Sequence, residues 1–263
     1  MNRDPEEYRP PDPQTWDLLT GRPPEKPGPG PGRVPWTALD ILVIVLLVPV
    51  VLFLLSAMLG ALLGLASAVT DVDLIDRLTS PLANSLFWLL QWTVTLGIAF
   101  SYFRIRGYRL NMDVIGFRRT RFWPAAVMMV IVMAVAGILQ GIYVQFIEPE
   151  QPAVTELFGE SIISFVVAMV IVAILTPVIE EMFFRGIIHQ GLEQRYGFWP
   201  GALLSSAVFA LAHIDPTVYI PIFVLGFGFA FLMSYTKSVW PAVAAHLLWN
   251  TLGVIVQFFP PEM

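Results

Sequence analysis

Seven long apolar runs dominate the sequence and restrict the folds that the chain can adopt. A helix needs about 20 apolar residues to cross the roughly 30 Å hydrocarbon core of a bilayer. Several runs reach that length, and a water-soluble core of this chain size could not bury so much apolar surface. The runs are continuous rather than alternating, which argues against a β-barrel. They cover about residues 38–69, 83–103, 122–147, 161–189, 198–213, 217–235 and 239–259.

We therefore predict an all-α fold, a polytopic transmembrane bundle of seven or eight helices. The run from Ser161 is too long for one simple span, and Pro177 is expected to kink or divide it. The run from Phe198 is short for a span. Only 13% of the 263 residues are charged. No basic patch with interleaved aromatic residues is present, so we predict no nucleic-acid partner.

The chain divides into three regions by composition. Residues 1–36 contain ten prolines and mixed charges, which predicts a disordered, proline-rich cytoplasmic tail. Residues 37–155 are predicted to form the amino-terminal transmembrane helices. Residues 156–260 are predicted to form a transmembrane core that carries the polar side chains described below.

Basic residues predict the orientation of the chain in the membrane. Cytoplasmic loops of membrane proteins carry an excess of lysine and arginine. An amino terminus in the cytoplasm places thirteen of the fifteen basic residues on that side, in the tail, in the loop 104–121, and at Arg195 and Lys237. We therefore predict a multi-pass protein of the cell membrane with a cytoplasmic amino terminus.

Charged side chains inside the apolar runs require an explanation, because each costs about 2.5–3.5 kcal/mol by insertion scales. Glu181 and Arg185 are four residues apart, so they share one helix face and are predicted to form an ion pair. Glu180 points about 100° away, and no cation lies three or four residues from it. Such a carboxylate is either protonated by desolvation or held for proton transfer, and we favour proton transfer.

Histidines supply the other unusual polar groups. His246 and Asn250 are four residues apart and share a face of the last run, and His213 ends the run that starts at Phe198. One membrane histidine is more often a helix–helix hydrogen bond than a catalyst, but two of them with an unpaired glutamate favour a common site. His189 is expected on the opposite face from Glu180, close to the membrane interface.

These residues resemble three motifs of the CPBP family, which comprises the CAAX proteases and bacteriocin-processing enzymes and is also called the Abi or type II CAAX prenyl endopeptidase family. All three occur in the family's order, within about residues 160–255. They are Glu180-Glu181-Met-Phe-Phe-Arg185-Gly, Phe209-Ala-Leu-Ala-His213 and His246-Leu-Leu-Trp-Asn250.

The resemblance implies a helical intramembrane endopeptidase, with residues 156–260 as its CAAX-protease-like catalytic core. It implies that Glu180 and His213 activate water, and that His246 and Asn250 stabilise the oxyanion. Glu181 and Arg185 then fix the helix around Glu180. No cofactor is favoured, although zinc held by Glu180, His213 and His246 would be an acceptable His/His/carboxylate set.

Two other functions fit the same polar residues. A non-enzymatic membrane scaffold or immunity factor would use them only to lock helices, and a proton-coupled transporter would use them as a proton relay. The expected partners of the endopeptidase are the lipid bilayer and a hydrophobic peptide or membrane protein. Nothing in the sequence decides whether that substrate is prenylated.

Overall fold

The computed structural model describes residues 33–70, 81–147, 154–213 and 215–260, and these segments contain helices, turns and loops but no strand. The predicted all-α fold is therefore confirmed. Eight helices lie in these ranges: α1 (Ala38–Thr70), α2 (Pro81–Ile105), α3 (Phe122–Tyr143), α4 (Val154–Phe158), α5 (Ile162–Tyr196), α6 (Phe198–Leu211), α7 (Tyr219–Thr236) and α8 (Trp240–Phe258).

Six helices in the described ranges are long and apolar enough to cross a membrane, namely α1, α2, α3, α5, α7 and α8. α6 is shorter, with 14 residues. Many large apolar side chains point outward, such as Phe53 and Val69, which are 72% and 75% exposed. Such a surface is suited to lipid rather than water. The predicted multi-pass membrane protein is confirmed at this level.

The segment before α1 packs against the end of α5. Residues 1–32 of the predicted disordered tail lie outside the described residues, but Val34 and Trp36 are buried. The Val34 N–H donates to Gln194 Oε1 at 2.7 Å, and Trp36 Nε1 donates to the Ile187 carbonyl at 3.0 Å. The last residues of the predicted tail are therefore held on α5 by a backbone amide and an indole.

A buried carboxylate joins the start of α1 to the end of α2. Asp40 is completely buried and accepts hydrogen bonds from the Thr37 backbone and from the hydroxyls of Tyr102 and Tyr108, at 2.7, 2.8 and 3.0 Å. Arg106 Nε adds an ion pair at 2.9 Å. With this many donors, the buried charge is well compensated.

Pro177 does not divide α5, which runs without interruption as one helix of 35 residues. The helix accommodates the proline with two π-helical stretches, Met169–Leu175 and Met182–His189, on either side of an α-helical turn. In the first stretch the Thr176 N–H bonds to the Ile171 carbonyl, five residues earlier. π-Helical segments are rare in proteins, and those that occur are often found at functional sites.

α5 and α6 form an antiparallel hairpin that turns at Gly197, where a φ of +81° favours glycine. Residues equally distant from Gly197 are therefore level with each other. Glu181 precedes this glycine by 16 residues and His213 follows it by 16, while Arg185 and Phe209 are each 12 residues away. The hairpin consequently brings the first two motifs to one depth.

Candidate active site

Glu181 is the centre of the polar cluster. It is completely buried, and its Oε1 accepts from Arg185 Nη1 and from His246 Nδ1, each at 2.9 Å. Arg185 also donates from Nη2 to the Gly226 carbonyl at 3.0 Å, and its guanidinium lies 4.3 Å from the Phe209 ring centroid. The structure thus contains the predicted Glu181–Arg185 pair. Because the pair also contacts α6, α7 and α8, it ties four helices together.

Glu180 has no hydrogen-bond partner for one of its carboxyl oxygens. Its side chain is buried, and Oε2 has no partner among the described residues. The nearest ionisable ring is that of His246, whose Nε2 lies 3.7 Å from Glu180 Oε2. As the sequence predicted, the arginine pairs with Glu181 and leaves Glu180 without a cation. His246 therefore sits between the two carboxylates.

His213 and His246, the histidines of the second and third motifs, both contact the ring of Phe209. The ring centroid of Phe209 lies 5.1 Å from that of His213 and 5.8 Å from that of His246. His213 Nδ1 bonds to the Phe209 carbonyl at 2.9 Å. Since a carbonyl only accepts, Nδ1 carries the proton, and Nε2 of the neutral ring is left with its lone pair. His213 is therefore oriented as a proton acceptor.

Asn250 supplies a hydrogen-bond donor in place of the backbone N–H that Pro177 lacks. Thr176 bonds five residues back in α5, so the next donor in that register is Pro177, which has no N–H. The carbonyl that this leaves is that of Val172, and Asn250 Nδ2 donates to it at 2.9 Å. A carboxamide nitrogen carries two hydrogens, so Asn250 retains a second donor. The third motif is thereby fixed onto α5.

Thr176 is a polar residue of the cluster to which the sequence interpretation assigned no role. It is buried, and its hydroxyl has no hydrogen-bond partner among the described residues. It lies one helical turn before Glu180 and so shares its face. Thr176 could have been identified from the sequence as a hydroxyl inside an apolar run, four residues before the unpaired Glu180.

His189, which the sequence analysis placed close to the membrane interface, has a completely buried ring. Its Nε2 lies 2.8 Å from the Ser234 hydroxyl and 3.5 Å from Glu193 Oε2, and its Nδ1 lies 3.4 Å from the Ser205 hydroxyl. These contacts connect α5 to α6 and α7.

The alternative zinc set is only partly assembled in the described residues. His246 Nε2 and Glu180 Oε2 are 3.7 Å apart, and Nδ1 of the same ring is bonded to Glu181. Within the described ranges, no three His, Asp or Glu side chains are grouped in a way that could hold a metal ion. The mechanism proposed for this site therefore contains no zinc step.

Comparison with known proteins points to one class of protein. Residues 162–252 match the family model described as "Type II CAAX prenyl endopeptidase Rce1-like". This match contains all three motifs and confirms the resemblance that they carry. It covers the part of the chain from α5 to α8 that holds the polar cluster.

Two relatives are similar to parts of the chain. The Bacillus subtilis (strain 168) protein described as "Putative membrane peptidase YdiL" is 39% identical over 100 residues, which are 38% of this chain and 41% of that protein. An Escherichia coli "Uncharacterized 24.3 kDa protein" is 38% identical over 68 residues, 25% of this chain and 31% of that protein. The chain thus spans less than half the length of these relatives. No solved structure gives a significant match.

Proposed function

We propose that this protein is an intramembrane endopeptidase that hydrolyses a peptide bond of a hydrophobic peptide or membrane protein with a water activated by Glu180. One observation carries the proposal. Glu180 is buried, and its Oε2 has no hydrogen-bond partner among the described residues, although an arginine lies five positions along the same helix. That arginine is held by Glu181. The family match over residues 162–252 supports the same function.

Glu180 acts as the general base in this mechanism. Its carboxylate takes a proton from water, and His213, which is oriented by the Phe209 carbonyl, holds the other water hydrogen on its Nε2. The water oxygen then attacks the scissile carbonyl carbon. When the C–N bond breaks, the same carboxyl group returns the proton to the leaving amine. This step regenerates the Glu180 carboxylate, so the enzyme is unchanged after the reaction.

His246 and Asn250 stabilise the oxyanion. The carboxylate of Glu181 accepts from His246 Nδ1 and so fixes the ring with Nε2 toward Glu180, and an oxyanion donor at Nε2 requires that this nitrogen carry a hydrogen as well. Asn250 contributes the amide hydrogen that Val172 does not use. Donors held in place before the reaction contribute about 2.7–4 kcal/mol each in comparable sites. No cofactor is required by this scheme.

Glu181 and Arg185 position these groups. By bonding to the arginine and to His246 at 2.9 Å each, Glu181 neutralises one cation and orients one imidazole. The neighbouring Glu180 is then left for chemistry. The arrangement divides two adjacent glutamates into a positioning residue and a base.

The enzyme works in the cell membrane with its amino terminus in the cytoplasm. The loop 104–121, the end of α5 and the end of α7 meet at one end of the bundle, where Lys237 Nζ lies 3.2 Å from Glu193 Oε1. Ser238 donates to the Arg118 carbonyl at the same end, at 2.6 Å. This clustering of basic segments supports a cytoplasmic end. The substrate is a hydrophobic peptide, whether prenylated or not.

The experiment compares the purified wild type with Glu180→Gln, which keeps the shape of the side chain but removes the base. Each protein is incubated with prenylated and unmodified peptides, with and without chelator, and its zinc content is measured. We expect Glu180→Gln to lose about 10²–10⁴-fold in cleavage rate. Glu156→Gln, the same change at an exposed residue, is expected to cleave like the wild type.

The alternatives give different results. If a folded Glu180→Gln protein and a His213→Ala protein both retain the biological function, the scaffold interpretation is correct and the enzyme is refuted. If chelator abolishes cleavage and the protein contains stoichiometric zinc, the metal-independent mechanism is wrong. Proton flux in vesicles that stops in Glu180→Gln, without any peptide cleavage, would identify a transporter.

A further inference from the structure

A buried hydrogen-bond donor without a partner lies on α2, outside the segment 162–252 that matches the family model. Trp92 is 9% exposed, and its indole Nε1 has no hydrogen-bond partner among the described residues. An indole N–H can only donate. Buried donors without an acceptor destabilise a protein and are rare in native structures. The position of Trp92 therefore requires an explanation.

The neighbours of Trp92 on α2 fix its depth relative to α5. Trp88 and Leu96 lie one helical turn on either side of Trp92 and share its helix face. Each packs against a different apolar cluster to which α5 contributes. The α5 members are Ala168, Ile171 and Ala173 in the cluster next to Trp88, and Met182, Phe183, Phe184, Ile187, Ile188 and Leu192 in the cluster next to Leu96. Trp92 is therefore level with the part of α5 between these two sets, and α2 contacts the turn Thr176–Glu181 there.

The packing of α8 places Asn250 close to the same level. Val254 belongs to the cluster against which Trp88 packs. Asn250 lies one turn before Val254, toward the end of the bundle where Lys237 Nζ contacts Glu193 Oε1 and α8 begins. One turn in that direction along α2 leads from Trp88 to Trp92. Side chains of α2, α5 and α8 consequently converge at the depth of Glu180.

The unpaired groups at this depth are complementary to a peptide main chain. The Thr176 hydroxyl and Glu180 Oε2 are buried and, like the indole of Trp92, have no partner among the described residues. A carboxylate only accepts, a hydroxyl donates and accepts, and an indole only donates. A peptide carries an N–H and a carbonyl on almost every residue. These groups would all be satisfied by a peptide bound between α2 and α5.

The middle of α2 can separate from α5 without breaking a hydrogen bond. Between residues 85 and 101, in the described structure, the hydroxyls of α2 that form hydrogen bonds donate to carbonyls of α2 itself; they are those of Ser85, Thr93 and Thr95. Polar contacts with other segments lie near the ends of α2. Asn84 Nδ2 donates to the Leu157 carbonyl at 2.9 Å, and the Tyr102 hydroxyl donates to Asp40 at 2.8 Å. Apolar contacts therefore hold the middle of α2, which is the part that must move outward to admit a peptide.

We propose that Trp92 is a substrate-binding residue, and that its indole N–H donates to a main-chain carbonyl oxygen of the bound peptide. This inference rests on the proposed peptidase function. An apolar peptide offers few side-chain acceptors, but each of its carbonyls needs a donor inside the hydrocarbon region. The scissile carbonyl is bonded by His246 and Asn250 in the proposed mechanism. Trp92 therefore binds a carbonyl next to the scissile bond, and α2 forms one wall of the active site.

The test replaces Trp92 by benzothienylalanine, which keeps the shape of the indole ring system but has sulfur in place of the N–H. The same replacement at Trp88, one turn away on the same face, is the matched control. Both forms and the wild type cleave the unmodified apolar peptide in micelles. A contact outside the reacting bond is made in the ground state and the transition state alike, so its loss raises KM and leaves kcat unchanged. We expect KM to rise roughly 10-fold for the replacement at Trp92 and not for that at Trp88, with equal thermal midpoints.

A second measurement follows the indole N–H itself. Glu180→Gln, which binds peptide without cleaving it, is prepared with isotope-labelled tryptophan. The nuclear magnetic resonance signal of the Trp92 indole is the one absent from the Glu180→Gln/Trp92→Phe double variant. We expect this signal to shift when the peptide is added, because the N–H gains an acceptor, and the signal of Trp88 to stay in place.

The outcomes separate this inference from the proposed function. A folded wild type that cleaves none of the peptides refutes the peptidase and the role of Trp92 with it. Cleavage by the wild type with an unchanged KM after replacement of Trp92, or with an equal rise after both replacements, overturns the role of Trp92 alone. A Trp92 signal that does not shift when the peptide binds overturns it as well, and this measurement decides if the benzothienylalanine form does not fold.

Discussion

Arg185→Met tests the account of the buried ion pair. The substitution leaves Glu181 completely buried without its cation, and it also removes the donor to the Gly226 carbonyl and the contact with the Phe209 ring. Breaking a buried pair by removing one partner costs about 3–5 kcal/mol. We expect the free energy of unfolding to fall by that amount. Unfolding in mixed micelles, followed by tryptophan fluorescence, measures it.

A matched control separates burial from pairing. Arg106 and Asp40 are also 2.9 Å apart, but the Arg106 side chain is 49% exposed, whereas that of Arg185 is 1% exposed. Asp40 keeps its other hydrogen-bond donors when the arginine is replaced. Because half-exposed pairs contribute little, Arg106→Met is expected to cost about 1 kcal/mol or less.

The double variant Glu181→Gln/Arg185→Met completes the argument. Glutamine keeps an oxygen that can accept from His246 Nδ1 but carries no charge, so neither member of the pair is left as a buried ion. We expect it to recover about 2 kcal/mol or more of the loss seen in Arg185→Met. Glu181→Gln alone is measured as well. A buried charge pair is refuted if Arg185→Met costs less than about 1 kcal/mol, or if the losses of Glu181→Gln and Arg185→Met simply add in the double variant.

Three further predictions concern single positions. Thr176→Val removes the hydroxyl that shares a helix face with Glu180, so we expect the cleavage rate to fall at least about tenfold with unchanged stability. Thr176→Ser keeps the hydroxyl and is expected to keep the wild-type cleavage rate; equal rates for the two variants would show that the hydroxyl has no role. Asn250→Leu leaves the Val172 carbonyl unsatisfied, so unfolding in micelles should show a loss of about 1–3 kcal/mol, and wild-type stability would contradict this. Gly201→Ala places a Cβ 2.7 Å from the Glu193 backbone nitrogen, so we expect it to destabilise the protein by about 1–3 kcal/mol. Gly97→Ala is the control, because a Cβ there has nothing within 4 Å and should leave the stability unchanged. Equal thermal midpoints for the two variants would refute the close packing of α5 and α6.

The membrane helices could be predicted from the sequence because bilayer thickness sets the length of an apolar run. The run from Ser161 differs from this prediction, because Pro177 was expected to kink or divide its helix. The helix continues because π-helical hydrogen bonding shifts the register and Asn250 supplies the missing donor. That donor comes from α8, so no local pattern around the proline could have indicated it.

The composition of the candidate site was also largely predictable, but its connections were not. Spacing of four residues gave the Glu181–Arg185 pair and left Glu180 without a cation. The bond between Glu181 and His246 joins residues 65 positions apart and depends on how α5 packs against α8.

The dependence of α5 on Asn250 has a consequence for biosynthesis. Chains are made from the amino terminus, so α5 is synthesised before α8. Until α8 enters the membrane, the Val172 carbonyl has no donor, and an unsatisfied polar group in hydrocarbon costs several kcal/mol. A nascent chain at that stage holds Glu180 and its neighbouring ion pair but neither His246 nor Asn250. If His246 and Asn250 have the roles proposed for them, the peptidase is inactive until α8 has packed against α5.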